Sequence, residues 1–578
     1  MARPVVLLAL VVLVNLVLLV QSSVFNRTSF PPDFVFGAAS SAYQYEGAPF
    51  DDGKGPSIWD TFAHQFPGKI TNGDNGDVGD DFYHRYKRSR NIFIELRNGK
   101  LDLGLSDCLL TLVLLRLMVS TLFVAVGSLF FFFFEVRVSG SEIYFRSSVH
   151  MRVELAPMLM DDLRDDVKLM DYIGLDAFRF SISWPRVLPR GKLSGGINKE
   201  GVAFYNNLIN ELLSKGIQPF VTIFHWDLPQ ALQDEYGGFL HPQITKDFQD
   251  FAELCFKEFG DRVKHWITMN EPYIFITNGY ESGALAPGRC SSWMNNSCPA
   301  GDSATEPYIV AHNMLLCHAL TVKLYKQKYQ ALQKGVIGIT LVSSWFVPYS
   351  PSNANKKAAQ RALDFWLGWY MDPLAFGEYP QIIRTTVQKR LPKFSVEESN
   401  LVKGSYDFIG MNYYTAFYAA DPNNHANTVN HSPSSDSRLN LTSIRNGKPI
   451  GAPTGVSIFY VYPKGLRDLL VYMKEKYNNP TIYITENGLG EVDMGIVNKG
   501  VNDTERVSFY YRHILAVKDA IKKGVNVKGF FPWSFLDTFE WGSGFSQRFG
   551  LNYVDYKDGL KRYPKQSAMW FKKFLGVH

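Results

Sequence analysis

From about Asp166 to the C-terminus, short apolar runs alternate with stretches whose apolar residues recur at helical spacing. Val202, Tyr205, Leu208, Ile209 and Leu212 share one face of a helix that Asn198 can cap and Gly216 can end. The run PFVTIF (Pro219 to Phe224) follows and reads as a buried strand. The next helix carries Phe248, Phe251, Ala252, Cys255, Phe256 and Phe259 on one stripe and stops at Gly260, before the strand WITM (Trp266 to Met269). Later strand-like runs are VIGITLV (Val336 to Val342), DFIGMNYY (Asp407 to Tyr414), TIYIT (Thr481 to Thr485) and VKGFFPW (Val527 to Trp533). FVFGAAS near Phe34 and AFRFSIS near Phe178 bring the number of strands to eight. Eight β/α units predict an α/β architecture, a closed (β/α)8 TIM barrel in a single domain.

One segment breaks the pattern. Residues 88–164 interrupt what otherwise reads as a single helix. Removing these 77 residues joins Lys87 to Asp165, and Phe82, Tyr86, Val167, Met170 and Ile173 then recur at helical steps. Within the segment, Cys108 to Phe134 is apolar apart from Arg116 and a few small polar residues, and it ends in five consecutive Phe. Taken alone it resembles a transmembrane helix. A span here would have to leave and re-enter a barrel between two of its own units, so stable membrane insertion is not expected. The expectation is instead that the segment is translated intron sequence, because a pyrimidine-rich intron end reads out as a run of Phe codons.

The N-terminus has one Arg, an apolar run from Val5 to Val20, and small polar residues at Ser22 and Ser23. Residues 1–23 therefore read as a secretory signal peptide, leaving 24–578 for the interrupted barrel; the apolar run is short for a membrane anchor. Secretion predicts an extracellular, cell-wall or vacuolar protein. Cys290 and Cys298 lie in a Pro/Gly/Ser/Asn-rich loop and are close enough to form a disulfide, while Cys255 and Cys317 read as buried thiols. Asn26, Asn295, Asn430, Asn440 and Asn502 stand in glycosylation sequons.

Apolar residues make up 46% and charged residues 20%, a globular balance that excludes disorder. The net charge of +5 is small for 578 residues and no basic block stands out, which argues against a nucleic-acid partner. Aromatic residues reach 15%; most are core, though such rings also stack on the apolar faces of sugars. No Cys/His spacing suits a metal and no Gly-rich phosphate loop follows a strand, so neither metal nor cofactor is expected.

Barrel enzymes place their chemistry at the C-terminal ends of strands. Two strands here end in a glutamate beside an asparagine: WITMNEP at Asn270 and Glu271, and IYITENG at Glu486 and Asn487. A lone Glu at a strand end is usually a solvated surface residue. Two at corresponding points of one barrel match the needs of glycosidic cleavage, in which one carboxyl protonates the leaving oxygen and the other attacks or activates water.

With FVFGAASSAYQYEG (Phe34 to Gly47), TMNEP, ITENG and WSFLDTFEWGSGFSQRFGL (Trp533 to Leu551) in this order, the chain resembles glycoside hydrolase family 1, and within it the plant β-glucosidases. The resemblance runs from about Phe34 to the C-terminus, except for 88–164. It implies a retaining β-glycosidase releasing terminal β-glucosyl residues from small glycosides, with Glu271 as acid/base and Glu486 as nucleophile. It implies that Arg179 and Tyr414 hold the nucleophile in its ionised form, and that the charge of Glu486 keeps Glu271 protonated at the start. Asn270 corresponds to the residue that bonds the sugar 2-hydroxyl. Gln44, His225, Glu540 and Trp541 match the glycone site, Trp533 the stacking floor, and Asn412 joins the substrate-contacting set. Outside these motifs His225 and Trp533 would read as core residues.

The Glu540-Trp541 pair argues against the family members that act on 6-phosphorylated sugars, and Glu271 argues against the myrosinase type, which lacks the acid/base Glu. On the aglycone side relatives carry a Trp before the Tyr-x-Tyr-Pro run, whereas SIFYVYP places Ile458 there. A transglucosidase would use the same intermediate with an alcohol acceptor. A silent sugar-binding or membrane-tethered protein is the reading from another class, and both glutamates weigh against it. No oligomeric state follows from the sequence.

Overall fold

The computed structural model describes residues 25–86, 135–139, 142–146, 165–422 and 429–577. Its centre is a closed barrel of eight strands: β1 Val35–Ala39, β2 Ala177–Ser181, β3 Gln218–Phe224, β4 His265–Asn270, β5 Val336–Val342, β6 Phe408–Asn412, β7 Ile482–Asn487 and β8 Val527–Pro532. Each strand pairs in parallel with its neighbours in chain order, and β8 returns to β1. Parallel strands enclosed by helices are covered on both faces, so their sequences are continuous apolar runs rather than alternating ones. Every strand predicted from the sequence is present, with ends moved by one or two residues.

Rings fill the barrel interior. Phe220 stacks on His265 at 3.9 Å, and Tyr483 and Phe531 meet the same Phe220 ring at 5.4 and 4.9 Å. The larger core lies between the strands and the outer helices. Lys199–Ser214 is capped by the Asn198 side chain and buries Val202, Tyr205, Leu208, Ile209 and Leu212. Ile244–Phe259 buries Phe248, Phe251, Ala252, Cys255, Phe256 and Phe259, the stripe read from the sequence. Near the strand ends, Gly410 has no room for a Cβ, which would meet Thr340 Oγ1 and Thr485 Oγ1; its bare backbone lets these hydroxyls approach the site.

The loop disulfide joins Cys290 and Cys298, with Cα atoms 5.6 Å apart, and Cys255 and Cys317 are buried free thiols. Asn430, Asn440 and Asn502 are exposed, while Asn26 and Asn295 are half-buried.

By its contacts the chain divides into two units, one comprising Met1–Lys87 with Leu163–His578 and the other Arg88–Asp162. The first holds the barrel. In the second, the described residues form an antiparallel pair, Glu135–Ser139 with Glu142–Arg146. The apolar run Cys108–Phe134 and the leader at 1–23 lie outside the described residues. Among the described residues no helix is long and apolar enough to cross a membrane.

The barrel unit holds its own evidence about the interruption. Helix Phe82–Arg85 ends at Tyr86, and helix Asp166–Ile173 begins after its cap Asp165. The Val167 N–H donates to the Tyr86 carbonyl at 3.4 Å. With Lys87 joined to Asp165, Val167 would stand four residues after Tyr86, the spacing of an α-helical hydrogen bond, while Asp165 itself is extended and caps the second helix. Phe82, Val167, Met170 and Ile173 are all buried. Closing a 77-residue loop at this point costs on the order of 4 kcal/mol in chain entropy. A chain lacking residues 88–164 should therefore fold to the same barrel and melt at a higher temperature than the full chain, as circular dichroism and scanning calorimetry would register; a lower melting temperature would contradict the loop-out arrangement.

Candidate active site

Glu486 lies within β7 and Glu271 follows β4 directly. Strand register is irregular at both places, between Ile267 and Asn270 on β4 and between Ile484 and Asn487 on β7. Such irregularities turn a side chain off the regular alternation of a strand. Glu271 has φ +42° and begins the helix Pro272–Ile276, while its N–H is held by the Thr340 carbonyl at 3.0 Å.

Both carboxyls line one cavity of about 270 Å³ together with His225, Trp226, Asn270, Tyr414, Trp533, Glu540 and Trp541. The remaining wall is mainly apolar: Ile274, Val342, Trp366, Phe417, Ile458, Phe459 and Phe549, with Asn278, Ser343, Ser344 and Thr415 between them.

The two glutamates have different partners. Arg179, on β2, donates from Nη1 to Glu486 Oε1 at 2.6 Å, and Tyr414 Oη donates to Glu486 Oε2 at 2.6 Å. The Tyr414 hydroxyl is itself kept protonated by burial and by the neighbouring Glu486 charge. Glu271 has no cation bonded to it among the described residues; Asn412 Nδ2 donates to its Oε1 at 2.6 Å. Burial first and the Glu486 charge second push the Glu271 carboxyl up to about 8, against the Asn412 hydrogen bond and the Arg179 charge. Desolvation and a like charge both favour the neutral acid.

Asn270 ties the two sides together. Its Oδ1 accepts from Arg179 Nη2 at 2.6 Å and from Asn412 Nδ2 at 3.2 Å, and its backbone carbonyl accepts from Trp226 Nε1 at 2.8 Å. Burial and the Arg179 charge hold His225 well below its usual range. The neutral imidazole can therefore accept at Nε2 from the Asn270 amide, 3.1 Å away. Behind Asn412, Thr485 Oγ1 donates to its Oδ1 at 2.7 Å, and Thr340 Oγ1 donates to Thr485 Oγ1 at 3.3 Å.

Glu540 and Trp533 form the other side. Trp533 Nε1 and Thr538 Oγ1 donate to Glu540 Oε1 at 3.2 and 2.8 Å. Burial pushes the Glu540 carboxyl up to about 8 against these two donors. Trp541 packs against Trp226 and Trp59 at 4.5 and 4.6 Å. Arg179 and Asn412 are fully buried and Glu271, Glu486, His225, Asn270 and Trp533 nearly so, whereas Gln44 is fully buried but is not among the residues lining the cavity. Gln44 has its amide engaged: Oε1 accepts from Ser41 Oγ at 2.6 Å and Nε2 donates to the Phe539 carbonyl at 2.6 Å. Sequence reasoning passed over Trp226, Thr340, Thr485 and Thr538. Trp226 stands beside His225, and Thr485 and Thr538 lie inside the ITENG and Trp533–Leu551 motifs, which was the available signal; Thr340 on β5 carried none.

A (β/α)8 barrel with two differently partnered carboxyls facing one cavity at the C-terminal strand ends fits a glycoside hydrolase. The profile of glycosyl hydrolase family 1 matches residues 26–106 and 148–578, and the chain belongs to that family. The unmatched residues, 107–147, fall inside the segment that interrupts the first β/α unit. The chain is 52% identical over 552 residues to beta-glucosidase 12 of Oryza sativa subsp. indica, covering 95% of this chain and 93% of that protein. It is 53% identical over 548 residues to furcatin hydrolase of Viburnum furcatum, covering 95% and 86%. Among solved structures, a rice β-glucosidase mutant in a covalent complex with Glc superposes with a TM-score of 0.80 at 41% identity, over 95% of this chain and 99% of that one.

Protonated Glu271 is present below pH 8 and lost as the pH rises through its pKa, so kcat/KM should fall on an alkaline limb near pH 8. Asn412 opposes the upward shift, and Asn412→Ala should therefore move that limb to higher pH while lowering activity. An unmoved or lower alkaline limb in the pH–rate profile of Asn412→Ala would rule out this hydrogen bond as a control on Glu271.

Proposed function

We propose that Glu271 is the general acid and then base, and Glu486 the nucleophile, of a retaining β-glucosidase acting on small glycosides. The observation that carries the reading is the unequal pairing of two carboxyls on one cavity. Glu486, gripped through both oxygens by Arg179 and Tyr414, is fixed and electron-rich, ready to attack the anomeric carbon. Glu271, neutral in the free site, protonates the departing glycosidic oxygen. The attack forms the glycosyl–enzyme ester and breaks the bond to the aglycone, which leaves with the proton of Glu271. Esterification neutralises Glu486, and the like charge that held the proton on Glu271 is gone. Glu271 then takes a proton from water as the water opens the ester, which restores both carboxyls and retains the anomeric configuration.

The glycone is held on the side of Glu540, Trp533, Trp541, His225 and Asn270. The aglycone faces Trp366, Phe417, Ile274, Phe459 and Ile458, a wall that suits an apolar or aromatic alcohol. The same ester can be opened by an alcohol, which makes glucosyl transfer the second outcome of one mechanism. Residues 1–23 act as a leader to the secretory pathway, a route that the loop disulfide and the exposed sequons support. Residues 88–164 form a segment that the barrel does not use, a reading supported by the Val167–Tyr86 hydrogen bond closed across it.

Glu486→Gln should abolish hydrolysis of 4-nitrophenyl β-glucoside. Glu271→Gln should lose ~10²–10⁴-fold on alkyl glucosides and much less on nitrophenyl glucosides, whose leaving groups need no proton. Full activity of Glu486→Gln, or an inverted sugar product by NMR, would refute the assignment. Ile458 is 58% exposed at the cavity mouth, and Ile458→Trp should change KM for bulky aglycones with little effect on kcat for nitrophenyl glucoside.

A further inference from the structure

Glu540 is a half-buried carboxyl without a cation. Among the described residues no Lys, Arg or His pairs with it, and the charges that bear on it most, Glu486 and Asp537, are both negative. Two neutral donors hold it, the Trp533 indole at 3.2 Å and the Thr538 hydroxyl at 2.8 Å, and both reach the same atom, Oε1. That leaves Oε2 to receive a ligand in the cavity that Glu540 lines. Thr538 is itself fully buried, and the Gln44 amide approaches its Oγ1 at 3.5 Å while bonding firmly to the next carbonyl, Phe539 O, at 2.6 Å. Ser41 Oγ in turn donates to Gln44 Oε1. A chain of contacts therefore runs from Ser41 near β1 through Gln44 and Thr538 to Glu540 beyond β8. The turn after Glu540 is fixed by its own backbone, with Glu540 N–H donating to Gly544 O at 2.7 Å and Gly544 N–H to Trp541 O at 3.0 Å.

We infer that Thr538 is a positioning residue for the glycone: its hydroxyl anchors one oxygen of Glu540 so that the other is presented to a sugar hydroxyl. The inference rests on the β-glucosidase reading above and extends it to a residue that does not touch the sugar. The physical argument is one of compensation. A buried carboxyl loses its hydration and depends on the donors that replace it, and a hydrogen bond to a charged group is stronger than one between neutral partners. Trp533 alone cannot fix the rotation of the carboxyl plane, because one donor leaves the second oxygen free to swing. Two donors converging on Oε1 define it. Thr538 is also near-isosteric with Val, so the hydroxyl can be deleted while its volume is kept.

The test compares Thr538→Val, Thr538→Ser and Glu540→Gln with the unaltered chain on 4-nitrophenyl β-glucoside and its monodeoxy analogues. Thr538→Val should raise KM by roughly tenfold while kcat falls less than about threefold, and Thr538→Ser should restore KM to within about twofold of the unaltered chain. The deoxy analogue lacking the hydroxyl that Glu540 engages, identified with Glu540→Gln, should be penalised in the unaltered chain and less so in Thr538→Val. A purely structural role would lower thermal stability and leave that deoxy penalty in place. Unchanged KM and an unchanged penalty in Thr538→Val would overturn the inference, as would a Thr538→Ser variant as impaired as Thr538→Val. If Thr538→Val does not fold, Thr538→Ala carries the same comparison. Hydrolysis by the unaltered chain that survives Glu486→Gln would instead sink the parent reading, and this one with it.

Discussion

The buried guanidinium of Arg179 is the constraint around which the site is organised. It sits on β2 with no exposure, and its two terminal nitrogens reach Glu486 on β7 and Asn270 on β4. Stripping one partner from a buried ion pair costs on the order of 3–5 kcal/mol, so these contacts favour the register in which the three strands close. The same closure sets the carboxylate of Glu486 in the cavity. The side chain that ties the three strands together also fixes Glu486.

The pairing also separates two chemically identical residues. Arg179 and Tyr414 occupy both oxygens of Glu486, whereas Glu271 receives one neutral amide and faces the Glu486 charge from a buried position. Burial and the like charge together favour the neutral form of Glu271, while Arg179 and Tyr414 pair with Glu486. Asn412 and Asn270 pass hydrogen bonds between the two halves, so neither carboxyl can be moved without disturbing the other.

The interrupted helix shows how far a barrel can be indifferent to its connections. Tyr86 and Val167 are separated by the long segment, yet they share a hydrogen bond and their neighbours bury one apolar face. The family profile leaves 107–147 unmatched and matches the flanks of the segment, 88–106 and 148–164.

Much of this was legible in the sequence. Buried parallel strands announce themselves as apolar runs, so all eight could be placed, and the helical stripes at Val202–Leu212 and Phe248–Phe259 were visible from periodicity alone. The broken repeat between Phe82 and Ile173 marked residues 88–164 as an interruption. Strand-end glutamates at Glu271 and Glu486 drew attention because residue type and strand position are both properties of the linear chain. What only the tertiary structure decided is which partner each of them meets. Asn412 bonds Glu271, the Gln44 amide is engaged by Ser41 and Phe539, and Thr538 shares Oε1 of Glu540 with Trp533. Desolvation and hydrogen bonding act through space over a few ångströms, between residues that the chain keeps far apart, and they exist only once the barrel has closed.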